Sequence, residues 1–353
     1  MFLIVLAALM AAYGTAYVAS PDVRFVTRAG LEEIAILRGR RPIAEVIADP
    51  RTPEPTRQLL HLVLEVRDEA ARLGLDAGET YRQYTDVGRD TLLLVLSAAR
   101  KDCLCTHTWK YPVVGRIPYK GFFDPRMAYA ERDRLAAKGM DTYLRPAGAF
   151  STLGWFEDPL LSTAMSRDSV ELAALVFHEI AHNSLYVASA TPFNESFAQL
   201  VGYRAAEAYF AARGDSVLAR RAADRWHDEL VLGAYYASLA GRLERFYATK
   251  PDSAALEAGR AEAGAWAREQ LLGPVGAQLR TYRIDRLAER PVNNAQLVAA
   301  RIYRTHLDWF DRWFDAQGRD VARAVAGLKA LVAGATGDEA FGRLEAAVGA
   351  GGG

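Results

Sequence analysis

The sequence lacks an excess of charge of either sign. Its 353 residues include 43 Lys and Arg and 43 Asp and Glu, so the formal net charge is +0 at pH 7. Proteins that chiefly bind nucleic acid or acidic lipids usually carry surplus basic residues, because those partners are polyanionic. We therefore predict no nucleic-acid partner, whereas an apolar content of 51% is ample for a hydrophobic core.

Cysteine is scarce, and the two that occur, Cys103 and Cys105, are separated by one residue. In an extended segment both side chains would point the same way with Cα atoms about 7 Å apart, at the limit that a disulfide spans. We therefore expect two free thiols.

The first nineteen residues lack charge altogether. The run MFLIVLAALMAAYGTAYVA precedes the first charged side chain, Asp22. It has the hydrophobicity of an export signal or membrane anchor, but the usual positive n-region is missing, and Arg24, Arg28 and Arg38 would oppose export by the positive-inside rule. We interpret residues 1–20 as a signal peptide or membrane anchor rather than a core helix.

Helical periodicity is what the chain has most of. Between residues 23 and 73 apolar spacing predicts three helices, the first with Leu31, Ile34 and Leu37 on one face and the second opened by Pro42. A short apolar run at residues 91–97, followed by glycine, proline and aromatic residues, predicts a small sheet.

The strongest functional signal is a His-Glu-x-x-His motif. On a helix, His178 and His182 lie one turn apart on one face, so both imidazoles can reach one ion, and this spacing suits zinc. Glu179 would flank the open coordination position and act as general base.

Local signals predict the two helices that such a site needs. Asp168 and Glu171 form a capping box for a helix over residues 169–186. Thr191 is a good N-cap for the next helix, with Pro192 as its first residue.

Glu195 is the candidate third ligand. After a short loop at residues 187–190 it would face the two histidines and leave a fourth position for water. Alternatively, it is only a carboxylate that suits a helix N-terminus. We favour the ligand, because Phe193 and Phe197 indicate a buried face, where a carboxylate needs a partner.

These residues resemble a known family. The runs VFHEIAHNSLYV and FNESFA, with blocks at residues 111–123 and 151–163 and the run NNAQL, are similar to the bacterial predicted aminopeptidase family of envelope-associated, gluzincin-like proteins. The likeness spans about residues 25–330.

The resemblance implies a zinc metallopeptidase with one Zn²⁺ per chain. It assigns His178, His182 and Glu195 as metal ligands and Glu179 as the catalytic residue. It also implies a zincin-like catalytic core. Together with the periodicity, it predicts an α+β, predominantly α-helical fold with a small β-sheet and a helical C-terminal region.

We expect a single metallopeptidase domain over residues 21–346. Within it, N-terminal helices and the small sheet occupy 21–165, the zinc helices 166–213 and a helical C-terminal part 214–346. The last residues, 347–353, are expected to be disordered.

The chain departs from the family pattern at several positions. Ala190 and Gly202 replace acidic residues, which leaves the support of the metal ligands in doubt. Lys110 and Arg116 stand where the family has cysteines, so a family disulfide is lost or moved. No cysteine lies near the N-terminus, and lipoprotein attachment is therefore not supported.

Other side chains are candidates for supporting roles. Tyr303 would help to hold the oxyanion of a tetrahedral intermediate, with Tyr119, Tyr186 and Tyr203 as competitors. Gln199, one turn after Glu195, would orient a ligand.

Substrate contacts are predicted just before the motif helix. Residues 151–154 would form a strand whose edge pairs with the peptide backbone, or else an ordinary strand with a turn glycine. Glu157 and Asp158 are candidates for binding a free amine.

The remaining histidines, and an asparagine pair at residues 293–294, have simpler interpretations. His61, His107, His227 and His306 are expected to be structural, and the asparagines to cap a helix.

The predicted function is zinc-dependent peptide hydrolysis, as an aminopeptidase acting on peptide substrates. The alternatives are an envelope endopeptidase and a membrane-tethered, non-catalytic zinc-binding scaffold. The N-terminal segment and the resemblance together predict the bacterial cell envelope, either periplasmic or anchored in the inner membrane.

Overall fold

The computed structural model describes residues 1–111, 115–149, 159–289 and 292–349. Helices dominate these residues and the sheets are small, which confirms an α+β, predominantly helical fold. The N-terminal part contains α1 Phe2–Ala19, α2 Pro21–Arg38, β1 Arg41–Pro42, α3 Ile43–Ala48 and α4 Glu54–Arg72.

The middle of the chain carries the strands. They are β2 Gln83–Thr85, β3 Leu93–Arg100, β4 Trp109–Tyr111, β5 Gly115–Ile117, β6 Tyr119–Phe122, β7 Met140–Ala147 and β8 Leu160–Leu161, with α5 Pro125–Ala136 between β6 and β7. In the sheet that matters for the site, β3 is central and pairs antiparallel with β6 and β7. The strands β1, β2 and β8 form a second sheet, and β4 pairs with β5.

The second half is helical, as predicted. It contains α6 Ser169–Ser184, α7 Thr191–Ala212, α8 Ser216–Ala248, α9 Ser253–Leu272, a 3-10 turn Gly276–Gln278, α10 Ile284–Ala288, α11 Asn294–Ile302, α12 Leu307–Ala316, α13 Val321–Leu331 and α14 Glu339–Gly349. Helix α14 enters the tail expected to be disordered, of which residues 350–353 lie outside the described part.

The largest hydrophobic core surrounds α6 and α7. Both helices are apolar around much of their circumference, and α6 also packs against α4. Phe177, Phe193 and Phe197 are at most 1% exposed. Burying a side chain of this size contributes about 1.5–3 kcal/mol, so tertiary packing holds the two motif helices together.

The helix starts differ in detail from the predicted caps. The Asp168 carboxylate accepts the Val170 N–H at 3.0 Å, but Glu171 does not close a capping box. It pairs instead with Arg225 of α8 at 2.8 Å. The N-cap of α7 is Ala190, and Thr191 is already helical, so the predicted threonine cap is wrong by one residue.

Helix α1 is apolar and long enough to span a membrane, and none of its residues is buried. The predicted helix is present as α2, and its apolar residues Leu31 and Ile34 are 58% and 46% exposed. The helix docks instead through Ile36, which is buried, and through Phe25, whose ring lies 5.3 Å from that of Phe122.

The expectation of free thiols is also wrong. Cys103 and Cys105 form a disulfide with their Cα atoms 5.1 Å apart. The chain bends at residues 101–104 rather than running extended, and the bend brings the two residues within disulfide range.

Candidate metal centre

Helix α6 presents both motif histidines on one face. His178 and His182 lie one turn apart, and their Nε2 atoms are separated by 3.2 Å. The two rings are nearly perpendicular, with centroids 4.9 Å apart. Both nitrogens therefore converge on one point.

Glu195 of α7 reaches the same point. Its Oε2 atom lies 3.4 Å from Nε2 of His178, and its Oε1 atom lies 3.8 Å from Nε2 of His182. The side chains of His178, His182 and Glu195 are 14%, 25% and 19% exposed, respectively. The three groups are thus largely shielded while one side stays open to solvent.

The turn between the two helices is closed by Asn194. Its side-chain oxygen accepts the Val187 N–H and its amide donates to the Val187 carbonyl, both at 2.9 Å. Asn194 is only 4% exposed and directly precedes Glu195. This pair of bonds fixes where α7 begins. The sequence reasoning missed it, because an asparagine in the first turn of a helix is too common to predict a bond to a loop residue.

Gly202 lets α7 approach α6 closely beneath the histidines. A β-carbon at this position would lie 2.8 Å from the Ala174 carbonyl oxygen and 3.4 Å from Cβ of His178. A larger side chain therefore has no room here unless the two helices move apart. Glycine allows close helix packing directly behind His178.

The donor set fits a tetrahedral zinc ion. With ligands at about 2.0–2.1 Å, tetrahedral geometry separates ligand atoms by about 3.3 Å. The two Nε2 atoms lie 3.2 Å apart, and they lie 3.4 and 3.8 Å from different oxygens of the Glu195 carboxylate. Two imidazoles and one carboxylate are also a common catalytic zinc set. Among the described residues, His178, His182 and Glu195 form the group of three histidine and acidic side chains whose ligand atoms all lie within 4.8 Å of one another.

The two imidazoles have different pKa values, because they are too close for both to be positively charged. Burial and the neighbouring His178 lower the pKa of His182 to about 4. Burial also acts to lower the pKa of His178, but the Glu195 and Glu179 carboxylates outweigh it and raise that pKa. Burial would raise the pKa of Glu195, yet the two histidines and Arg145 lower it.

Two tyrosines lie within the electrostatic field of this cluster. Burial and the Glu195 carboxylate raise the pKa of Tyr303, and Glu179 adds to the effect. Burial and then Glu195, in the same order, raise the pKa of Tyr119. Tyr303 directly follows α11 and Tyr119 begins β6, so neither belongs to the helices that carry His178, His182 and Glu195.

The other predicted tyrosines lie elsewhere. Tyr186 is 72% exposed, and the Tyr203 hydroxyl donates to Glu171 at 3.4 Å, two turns along α6 from His178. The structure therefore favours Tyr303 and Tyr119 over these two as neighbours of the metal ligands.

Arg145 of β7 is a neighbour that the sequence reasoning did not identify. Its charge contributes to the lowered pKa of Glu195, and it partly offsets the rise in the pKa values of Tyr119 and Tyr303. A lone arginine in a predicted strand carries no motif, and only the folded sheet brings it here.

The other histidines lie in structural settings, as expected. His61 is exposed on α4, and the ring of His107 packs on Trp109 with centroids 4.7 Å apart. His227 lies 3.2 Å from the Gln278 carbonyl, and His306 stacks on a tryptophan at 3.7 Å.

Three predicted supporting roles stay predictions. Gln199 is half-buried on α7 and no contact defines its predicted role as an orienting group. The proposed substrate strand at residues 151–154, and Glu157 and Asp158, lie outside the described residues.

Residues 24–340 match the sequence model of a family described as "Putative aminopeptidase". The chain matches no curated protein and no solved structure. The family match includes both helices of the candidate metal centre, the strands β6 and β7, and Tyr303.

Proposed function

This chain belongs to the putative aminopeptidase family, and on that premise we propose that it is a zinc-dependent peptide hydrolase that removes N-terminal residues. The observation that carries the proposal is the convergence of His178, His182 and Glu195 at ligand-to-ligand distances that suit zinc. The family supports a peptidase, and the donor set supports the metal.

The three side chains would hold one Zn²⁺ through two Nε2 atoms and a carboxylate oxygen. When bound, the ion supplies Lewis acidity, which polarises a carbonyl and lowers the pKa of water from about 16 toward 7. His182 favours this binding, because its low pKa keeps it neutral, and only a neutral imidazole can ligate.

Glu179 is the proposed general base. It follows His178 on α6, and its charge acts to raise the pKa values of both His178 and Tyr303, which supports a role next to both groups. Its carboxylate accepts a proton from the attacking water and passes it to the leaving amine.

Tyr303 is the proposed partner of the oxyanion. Its raised pKa keeps the hydroxyl protonated, so it can donate a hydrogen bond to the negative oxygen that develops on the scissile carbonyl. Tyr119 is the alternative donor, since it lies in the same field.

The N-terminal helix suggests where the enzyme works. We infer that α1 serves as an export signal or anchor, which would place the catalytic residues in the bacterial cell envelope with peptides as substrates. The exposed apolar surface of α1 and its length support this inference.

Replacing Glu179 by Gln tests the proposal most directly. In the full chain, kept in detergent, we expect stoichiometric zinc to remain and peptide hydrolysis to fall about 1,000-fold or more, because the base is lost while the ligands stay. Zinc is measured by elemental analysis and cleavage by mass spectrometry of a peptide mixture. The matched control, Glu262→Gln, changes a carboxylate that is 72% exposed on α9.

The products separate this proposal from its competitors. Release of single N-terminal residues, abolished by a chelator, supports an aminopeptidase, whereas internal cleavage identifies an endopeptidase. Bound zinc with no turnover of any peptide would instead identify a scaffold, and hydrolysis that survives Glu179→Gln refutes the assignment of the base.

A further inference from the structure

The sheet β6-β3-β7 has one face that turns toward the metal centre. Directly paired residues of antiparallel strands share a face, and the register places Tyr119, Ser97 and Tyr143 in one row across the strands. The neighbouring row on the same face consists of Gly121, Val95 and Arg145.

The opposite face of this sheet is covered. Lys120 and Phe122 of β6 contact Phe25 of α2, with the Lys120 ammonium 4.2 Å from the Phe25 ring centroid. Leu96 and Phe122 also pack in a core with α5. The row that includes Arg145 therefore faces the other way, toward the interior helices.

Helix α11 lies along this inner face, beginning at β7. The Asn294 N–H donates to Asp141 of β7 at 2.8 Å. From there the strand advances about 13 Å to Arg145, at about 3.3 Å per residue. Over the same span the helix advances about 13.5 Å from Asn294 to Tyr303, at about 1.5 Å per residue. The two advances are nearly equal, which agrees with the electrostatic interaction between Arg145 and Tyr303.

The Arg145 guanidinium is half-buried and makes no hydrogen bond or salt bridge to any residue in the described ranges. Arg260 offers a contrast near the same face, because it holds Asp141 with two bonds of 2.7 and 2.9 Å. A half-buried guanidinium without a partner is suited to a planar anion, which it binds through two parallel hydrogen bonds.

We propose that Arg145 binds a carboxylate of the peptide substrate and so selects peptides that carry a negative group close to the scissile bond. This inference rests on the proposed peptidase function. The carboxylate has two possible sources, the free C-terminus of a short peptide and an acidic side chain next to the cleaved bond. In both cases Arg145 would bind the same chemical group.

Paired peptides measure the preference. The zinc-loaded full chain is assayed on Leu-Gly-Gly as free acid and as C-terminal amide, and on the amides of Leu-Asp-Gly and Leu-Asn-Gly. We expect kcat/KM to be about 10–100-fold higher for the charged member than for the uncharged member of at least one pair, that is, for the free acid over the amide or for the Asp peptide over the Asn peptide. The pair that shows the preference identifies the source of the carboxylate.

Variants locate the preference at Arg145. Arg145→Gln should remove the preference by raising KM for the charged peptide far more than for the uncharged one, and Arg145→Lys should keep part of the preference. Arg126→Gln, at a side chain that is 91% exposed, is the control. Binding of the same peptides to zinc-loaded Glu179→Gln, measured by calorimetry, should show the same charged-over-uncharged ratio without turnover.

Two outcomes overturn the inference. The first is that charged and uncharged peptides are cleaved at equal rates and bound equally well. The second is that Arg145→Gln lowers kcat equally for charged and uncharged peptides, which would make Arg145 an oxyanion partner. Absence of hydrolysis of every peptide by the wild-type enzyme would overturn the proposed function instead. The calorimetric ratio still decides the role of Arg145 in that case.

Discussion

The ligand side of the candidate site comes from two consecutive helices, whereas the opposite side is assembled from distant parts of the chain. His178, His182 and Glu195 lie on α6 and α7, joined by a short turn and packed in the largest apolar core. Tyr119 and Arg145 come from strands, and Tyr303 follows a helix near the end of the chain. We call these the helical side and the sheet side.

The two sides are also held by different forces. Apolar burial and the close approach at Gly202 fix the helical side. A buried polar network fixes the sheet side, where Asn294 and Asp141 join β7, α11 and the loop after β3. The difference implies that metal binding and positioning of the tyrosine and arginine can be disturbed separately.

Asn294→Ala should have the largest effect, on the sheet side alone. The Asn294 amide donates to the carbonyls of Arg100, Lys101 and Cys103 and accepts from the Tyr247 hydroxyl at 2.9 Å. Its loss leaves buried polar groups unsatisfied, which we expect to cost about 3 kcal/mol of unfolding free energy. Denaturant unfolding measures this cost, and peptide hydrolysis should fall as α11 loosens.

The zinc content of Asn294→Ala tells the two sides apart. It should stay stoichiometric, because the ligand helices keep their own packing. The comparison variant, Asn293→Ala, removes the N-cap bond from the Gln296 N–H and a single bond to the Thr142 carbonyl of β7, and should cost less, about 1–2 kcal/mol. Zinc loss in Asn294→Ala would show that the two sides are not independent.

Gly202→Ala should act on the helical side. The new methyl group would meet the Ala174 carbonyl oxygen at 2.8 Å, so α6 and α7 must separate. We expect a loss of about 1–3 kcal/mol in stability and weaker zinc binding, since His178 lies at the same contact. Thermal unfolding and zinc titration measure both.

A second glycine in a helix provides the matched control for Gly202→Ala. At Gly264 of α9, an added β-carbon would have nothing within 4 Å. There, alanine should be neutral or stabilise by about 0.5–1 kcal/mol through helix propensity. If Gly202→Ala matched Gly264→Ala in stability and in zinc affinity, the close approach would not matter to the site.

The same contrast explains what the sequence could predict. His178, His182 and Glu195 follow from helical spacing and a short turn, which are local properties that survive without knowledge of the fold. Arg145 could not be found this way, because its neighbours Tyr303 and Glu195 approach it only through strand register and helix packing. The docking of α2 could not be predicted for a related reason, since Phe25 packs on the sheet residue Phe122, and local periodicity does not describe that contact.

Glu131→Gln should have the smallest effect, and it probes the outer layer of the sheet side. Burial would raise the pKa of Glu131, but hydrogen bonds from Arg134 and Trp109 lower it from 4.5 to about 2. Because the folded-state pKa is the lower one, this carboxylate stabilises the fold above pH 4.5, and the contribution is lost as the pH falls toward 2.

The Glu131→Gln variant should lose about 1–2 kcal/mol of unfolding free energy at pH 7, and its stability should fall less steeply than that of the wild type between pH 4.5 and 2. Denaturant unfolding at several pH values checks the slope, with the exposed Glu262→Gln of α9 as control. Parallel slopes in wild type and Glu131→Gln would contradict the assignment. Unchanged zinc content at pH 7 would support the independence of the helical side, because α5 packs in the core on the covered face of the sheet.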